Sequence, residues 1–260
     1  MSKIIVLFFL ILLNTFNSNS QIISHFNVKN KEFDKKTEFF EENLPFYSGE
    51  KLEYKISYGI KKKKSGILLA AFAKTIIKDT VFHDMKSFTI TASGETTKIF
   101  SLFMRVKHHY RSVVDKKKFN TLFFSFKVQE GKFNKVRKIN YNKNSNTEYN
   151  DILSAIYKLR KIDNSTLNKG DTIQYYYGKS KTQSTLTVIG RETIKTKFGM
   201  INTVKLSPNF PNNRRFKGGD DATIWISDDI SNVPIKMEIP LKVGVIYVNL
   251  NKYENTRFIF

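Results

Sequence analysis

The sequence contains no cysteine in its 260 residues. Disulfides, zinc–thiolate centres, iron–sulfur clusters and cysteine nucleophiles are therefore excluded. A chain of this length can bury a large hydrophobic core without cross-links. The absence of cysteine is compatible with an oxidising compartment, because such a compartment permits disulfides without requiring them.

Histidine is scarce, with four residues at positions 25, 83, 108 and 109. His108 and His109 are adjacent, so on a strand their side chains point to opposite faces and cannot readily share a metal ion. We expect one of the two to be packed and the other to be solvated. Neither a metal site nor a bound cofactor is predicted.

Motifs for hydrolysis and phosphate binding are also missing. The sequence has no Gly-x-Ser-x-Gly elbow, no His-Glu-x-x-His and no phosphate-binding P-loop. Two carboxylate pairs, Asp220–Asp221 and Asp228–Asp229, are interpreted as turn residues rather than as the acids of a glycosidase. We therefore predict no catalytic residue, and an enzyme is a less favoured class than a binding protein.

Arginine is rare, although the chain is strongly basic. Lysine and arginine total 44 against 23 acidic residues, a formal net charge of +21, yet only eight of the basic residues are arginine. Arginine is the residue suited to forked phosphate contacts, so we expect no nucleic acid partner. Most lysines are interpreted as solvated. The alternative is that they attract the protein to an acidic envelope surface. The Lys61–Lys64 run, followed by Ser65 and Gly66, is predicted to lie in a hairpin loop.

No apolar run reaches the roughly 20 residues that a membrane-spanning helix needs. The run from Ile4 to Leu13 follows Lys3 and precedes a polar stretch that ends in Ser18-Asn19-Ser20. This order is typical of a secretory signal peptide, which we assign to residues 1–20. The mature chain is then expected to be periplasmic or extracellular, without a transmembrane anchor.

Residues 21–45 are predicted to be a charged lead-in or linker, in which residues 31–42 form either a short helix or a disordered segment. From Gly49 onward apolar and polar residues alternate, which is typical of half-buried strands. The strands are short and closely spaced, as in an antiparallel meander. They are predicted at 52–58, 67–77, 87–95, 105–114, 121–128, 135–141, 172–177, 183–189, 193–197, 200–206, 222–226, 235–239 and 245–250.

One short packed helix near 151–161 interrupts this mainly β pattern. Asn150 or Asp151 can cap it, and its apolar residues form one stripe that must pack on a sheet. Trp225 lies between Ile224 and Ile226, on the opposite side of its strand from both. We therefore expect that strand to be covered on both faces and Trp225 to be buried.

Several segments together resemble a family of exported bacterial proteins called domain of unknown function 3108. The order and spacing of these segments cover nearly all of residues 46–252, and we assign residues 46–254 to one such domain. The resemblance implies a secreted or periplasmic location, a β-rich fold and no known activity. We expect a curved or partly closed barrel-like sheet. The segments are Phe46–Tyr54, Asp151–Arg160, Thr196–Gly199 with Val204–Leu206, Ile224–Asp229, Val233–Lys236 and Lys242–Ile246.

Glu50 and Arg160 both lie in these segments, and an ion pair between them is one arrangement that the sequence allows. Aromatic residues are abundant, with 23 Phe and 12 Tyr. Their ordinary role is core and cross-strand packing. The alternative is that some line a concave ligand site, for which the candidates are Tyr54, Tyr58, Phe72, Phe88, Tyr110 and Phe124.

The leading hypothesis is a non-enzymatic envelope protein that binds an amphipathic, lipid-like ligand or a glycan. The first alternative is a structural module that packs against another envelope protein. A hydrolase without a recognisable motif is the second alternative.

The chain is predicted to be cut so that the mature protein begins at or within a few residues of Gln21. N-terminal peptide mapping of protein recovered outside the cytoplasm checks this. Retention of Met1 on that protein would contradict the assignment of a signal peptide.

Overall fold

The computed structural model describes residues 44–59, 68–141, 150–176, 183–209, 222–241 and 244–257. The predicted signal peptide, the lead-in up to residue 43, the Lys61–Lys64 run and the pair Asp220–Asp221 lie outside the described residues.

The described residues form twelve strands in one antiparallel sheet, which confirms the predicted mainly β meander. The sheet has the order β6-β5-β4-β3-β2-β1-β12-β11-β10-β9-β8-β7. The strands are β1 Lys51–Gly59, β2 Leu68–Phe82, β3 Met85–Thr96, β4 Val106–Asp115, β5 Thr121–Glu130, β6 Phe133–Asn140, β7 Thr172–Tyr176, β8 Gln183–Thr196, β9 Gly199–Asn209, β10 Thr223–Ser227, β11 Pro234–Pro240 and β12 Val245–Glu254.

Two six-strand meanders make up this sheet, and β1 and β12 join them at its centre. Within the described residues β6 and β7 are edge strands that do not pair with each other, so the barrel-like sheet stays open. Alternation decides which face of each strand is buried. In β4, for example, Val106, His108, Tyr110 and Ser112 are buried, whereas the residues between them are exposed.

The strand connections alternate between two ends of the sheet, because each strand runs against its neighbour. One end, which we call the loop end, carries the β1–β2, β3–β4, β5–β6, β7–β8, β9–β10 and β11–β12 connections. The opposite end carries the remaining connections, among them the long segment from β6 to β7. That segment contains a helix, so we call this the helix end.

The predicted helix is present as α2, Ile152–Leu159, and it packs on the inner face of the sheet at the helix end. A four-residue helix, α1, Lys98–Ser101, precedes it in the β3–β4 connection. Asp151 caps α2, because its carboxylate accepts hydrogen bonds from the Leu153 and Ser154 amides. Burial raises the pKa of the Asp151 carboxyl, and hydrogen bonds from Ser112 and Thr121 on the sheet oppose that shift.

Two predicted details were wrong. The residues predicted as two strands, 183–189 and 193–197, form the single strand β8, which passes Gly190 through a β-bulge. Glycine ends a strand at a turn but also permits a bulge inside one. The predicted gap after residue 77 is instead strand, because β2 continues to a tight turn at His83 and Asp84, both with positive φ.

Trp225 is buried, as predicted, and only 6% of its surface is exposed. Ile224 and Ile226 pack on the main core, whereas Trp225 lies on the other face of β10. Lys205 and Lys236 lie over its ring at 5.3 and 4.7 Å from the centroid, and its indole N–H donates to Glu192. The outer face is therefore covered here by lysine side chains, whose methylene stems shield an aromatic ring while the ammonium groups reach water.

Trp225→Ala is expected to lower the free energy of unfolding by about 3–5 kcal/mol, because it removes a large buried ring. Urea denaturation followed by circular dichroism measures this. Val81→Ala is the matched control, since Val81 is 70% exposed and its loss should change stability by about 0.5 kcal/mol or less. Equal midpoints for Trp225→Ala and the unsubstituted chain would show that the lysine-covered ring contributes nothing.

Candidate functional site

A buried ion pair between Glu50 and Arg160 lies at the helix end of the sheet. The guanidinium nitrogens Nη1 and Nη2 of Arg160 lie 2.5 and 2.8 Å from Oε1 and Oε2 of Glu50, so the contact is bidentate. Glu50 is completely buried and Arg160 is 4% exposed. Although burial disfavours the charged guanidinium, the Glu50 charge and hydrogen bonds raise the pKa of Arg160 above its ordinary value.

Arg160 also connects segments that are far apart in the sequence. Its Nε donates to the Ser231 carbonyl at 3.0 Å, and its own carbonyl accepts from the Asn232 side chain at 2.8 Å. The rings of Phe46 and Tyr157 face the guanidinium, with centroids 5.5 and 5.2 Å from Cζ. The pair thus holds together the start of the described chain, the end of α2 and the β10–β11 turn.

Three of the six predicted ligand residues belong to the core that α2 covers. Phe88, Tyr110 and Phe124 are 3%, 2% and 0% exposed and lie in the same buried cluster as the helix residues. Tyr110 and Phe124 stack at 6.5 Å between ring centroids. These side chains face inward, and the helix half of the interior is filled by α2.

The other half of the inner face is covered less completely. Tyr54 and Tyr58 of β1, Ala73 of β2 and Met237 of β11 remain half-buried, although each packs on a buried apolar cluster. Burial raises the pKa of the Tyr54 phenol, and the nearby Arg160 charge opposes this rise. Tyr54 therefore lies at the end of this region that is nearest the ion pair.

We call these four side chains, Tyr54, Tyr58, Ala73 and Met237, the inner trough. Its floor is formed by buried residues of the same cluster: Ile56, Ala71, Ala222, Ile239, Leu241, Ile246 and Val248. At the loop end, the ring of Tyr58 lies against Gly244, where an added Cβ would approach the Tyr58 hydroxyl to 2.6 Å. Tyr58 therefore marks the end of the trough that is nearest the loop end.

Phe72 is the one predicted ligand residue on the outer face. It is 43% exposed and lies opposite Glu95 of β3. Its neighbours on β2, Ala71 and Ala73, both pack on the cluster beneath the trough, so Phe72 points away from it. The structure thus brings Tyr54 and Tyr58 together in the trough and places the other four candidates elsewhere.

Sequence reasoning missed Ala73 and Met237. A small residue opposite a tyrosine is the signal that could have found Ala73, because Ala73 pairs with Tyr54 across β1 and β2. Met237 follows from the alternation of β11, on which Ile235 and Ile239 are buried. Neither signal shows where the helix lies, and that position decides which inward residues stay uncovered.

The histidine prediction is confirmed: His108 is 1% exposed, whereas His109 is exposed. Nε2 of His108 lies 3.1 Å from Oε1 of Glu130, and the Tyr110 hydroxyl is 3.5 Å from Nδ1. The residue that pairs with His108 on the neighbouring strand β3 is Gly94, which carries no side chain. A polar group is therefore built into the inner face beyond the helix.

Asp228 and Asp229 are turn residues, as interpreted from the sequence. Asp228 binds Nε of Arg191 at 3.0 Å, and Asp229 accepts from the Ser231 amide at 2.7 Å and the Ser227 hydroxyl at 3.0 Å. Across the described ranges there is no group of three or more His, Asp or Glu residues arranged to hold a metal ion. The described helices include none with the length and apolar character needed to cross a bilayer.

An open antiparallel sheet that holds one helix against its inner face, with a half-covered apolar trough beside it, defines a mainly β protein built on one twelve-strand meander. The chain belongs to the family described as Protein of unknown function (DUF3108), whose model matches residues 53–251. This match confirms the resemblance seen in the sequence.

This chain is similar to a solved structure described as the β-barrel-like protein of domain of unknown function DUF1849 from Brucella abortus. It shares 7% sequence identity with this chain, and the match covers 80% of this chain and 98% of that chain with a TM-score of 0.45. No curated protein matches this chain.

Glu50→Gln should lower the free energy of unfolding by about 3–5 kcal/mol, because it leaves the Arg160 guanidinium buried without a counter-charge. Glu254→Gln is the matched control: Glu254 pairs with Lys51 at 2.9 Å on the surface, where an ion pair contributes about 1 kcal/mol or less. Chemical denaturation of both variants gives the comparison. Similar losses in the two variants would contradict the central role of the buried pair.

Proposed function

We propose that this protein is a non-enzymatic binding module of the cell envelope that holds the apolar part of an amphipathic ligand in the inner trough. The observation that carries the proposal is the uneven cover of the inner face. α2 packs over the inward side chains of Phe88, Tyr110 and Phe124, which are buried, whereas the inward side chains of Tyr54, Tyr58, Ala73 and Met237 stay half-buried. Apolar groups that face the interior of a sheet and remain accessible are suited to a ligand.

The chemistry of the trough favours a lipid-like chain over a glycan. Its floor consists of aliphatic side chains and alanines, which offer no hydrogen bonds to sugar hydroxyls. The two tyrosine rings add broad apolar surface, and the hydroxyl of Tyr58 lies at the loop end beside Gly244. A ligand with an apolar chain and a polar head at the loop end fits this distribution.

The sign of the headgroup follows from the charge of the chain. With a net charge of +21, the protein attracts anions over several Å in dilute salt. Exposed cations such as Lys98 and Arg105 lie in the β3–β4 connection at the loop end. We therefore propose that the ligand has an anionic headgroup. The expected export of the protein would bring it next to lipid.

A structural or protein-interaction module is the second candidate, and one observation favours it. The edge strand β6 is almost wholly exposed and presents Phe133 and Val136 to solvent. An exposed edge can accept a strand from a partner. Lys135, Arg137 and Lys138 on the same strand oppose this role, because edge cations discourage strand pairing.

An environment-sensitive apolar anion, an anilinonaphthalene sulfonate, tests the trough. We expect the folded chain to bind it, anionic lipids to displace it, and salt to weaken but not abolish the binding, because only the charge contribution is screened. Ala73→Trp fills the trough and should weaken probe binding about tenfold or more, a loss of at least 1.4 kcal/mol. Met237→Trp provides a second filled variant from another strand.

Phe72→Ala is the matched control, because Phe72 lies next to Ala73 on β2 but on the outer face. It should leave probe affinity unchanged. Circular dichroism verifies that each variant is folded. If Phe72→Ala removes binding and Ala73→Trp does not, the ligand lies on the outer face and the proposal is wrong. If the folded chain binds no probe at either salt level, the interaction-module candidate takes precedence.

A further inference from the structure

Three large apolar side chains close together in the sequence are exposed at the loop end. Ile99, Leu102 and Phe103 are 64%, 84% and 67% exposed, and we call them the apolar tip. Single exposed apolar residues are normal on protein surfaces, whereas a contiguous group marks an interaction site. The exposed apolar residues at the helix end, such as Val81 and Met200, come from separate strands.

The segment that carries the tip is attached to the sheet. The amide of Thr97 donates to the Ala70 carbonyl at 2.9 Å, and its hydroxyl donates to the Leu69 carbonyl at 3.2 Å, so the connection is fixed to β2. Phe100 packs on a small cluster that contains Ala70 and Val106. Phe100 points into the protein, whereas Ile99 on α1 and Leu102 and Phe103 just after it are left outside.

Exposed cations outnumber acids around the tip, where Glu95 and the mostly buried Glu130 lie at the ends of the flanking strands β3 and β5. Between residues 97 and 107 the charged side chains are Lys98, Arg105 and Lys107, all exposed. The nearest acid in the sequence, Glu95, lies 3.7 Å from the Lys107 ammonium. The β5–β6 turn adds exposed Lys132 to the same surface, since the amide of Gly131 donates to the Arg105 carbonyl at 2.7 Å.

We propose that the apolar tip inserts into the surface of an anionic lipid bilayer and docks the loop end there. Stable attachment at a membrane surface needs two contributions, apolar insertion and attraction of basic residues to anionic headgroups. Ile99, Leu102 and Phe103 supply the first, and the surrounding cations supply the second. The inference stands without the ligand proposal, because the tip lies on the surface and the trough residues take no part in it.

The absence of cysteine makes a site-specific test straightforward. Leu102→Cys in the full chain is labelled with an environment-sensitive dye, and Val81→Cys, at the helix end, is the matched control. Vesicles contain equimolar phosphatidylglycerol and phosphatidylcholine, or phosphatidylcholine alone. We expect the dye at position 102 to shift to shorter wavelength with anionic vesicles and the dye at position 81 not to shift. Lipid binding by the apolar N-terminal segment would not shift the dye at position 102 alone. The comparison of positions 102 and 81 therefore distinguishes insertion of the tip from binding by that segment.

Charge reversal tests the second contribution. In the labelled Leu102→Cys chain, Lys98→Glu with Arg105→Glu should raise the lipid concentration at half-maximal shift about tenfold or more, since each basic residue near an anionic surface adds to the attraction. Lys117→Glu with Lys118→Glu, in the β4–β5 turn at the helix end, is the matched control and should have a much smaller effect.

Three outcomes would overturn the inference: no shift at position 102, equal shifts at positions 81 and 102, or equal shifts with anionic and neutral vesicles. A shift at position 102 that grows with protein concentration in the absence of vesicles would assign the tip to a second copy of this chain instead. Ala73→Trp in the labelled chain should leave docking unchanged. Failure of the ligand proposal is thereby distinguished from failure of this one.

Discussion

The buried Glu50–Arg160 pair is the interaction on which the rest of the structure depends. Two charges without water are costly unless each is fully satisfied, and here the bidentate contact, the Ser231 carbonyl and two aromatic rings together meet that requirement. The pair can form only when the residues before β1, the end of α2 and the β10–β11 turn are all in place. It therefore acts as a geometric condition on the helix end.

This condition makes the two halves of the inner face of the sheet different. Fixing α2 at the helix end fills that half of the inner face, with Phe88, Tyr110 and Phe124 buried against the helix. In the remaining half, the tyrosine, alanine and methionine side chains of the trough are only half-buried. The half-covered trough and the covered helix end thus both result from the position of α2. The loop end, which carries the exposed side chains of α1, is free of that constraint.

The sequence was sufficient to predict strands, because alternation such as that of Leu52, Tyr54 and Ile56 depends only on local geometry. It was sufficient for α2 because a cap and an apolar stripe are also local. It could not place the helix over Phe88 rather than over Tyr58, since that choice depends on contacts between residues more than 100 positions apart, such as Glu50 and Arg160. For the same reason the ligand candidates included inward residues from both halves of the sheet.

The order of the strands has a consequence for how the chain reaches this fold. Each six-strand meander is built from neighbouring hairpins, but the central β1–β12 contact pairs Lys51 with Glu254. Contacts of such sequence separation form late, because closing a long loop costs more entropy before any contact compensates. During synthesis β1 is made first among the strands and stays an unpaired edge on one side until β12 is complete. The last strand made is thus the one that turns two separate meanders into a single sheet.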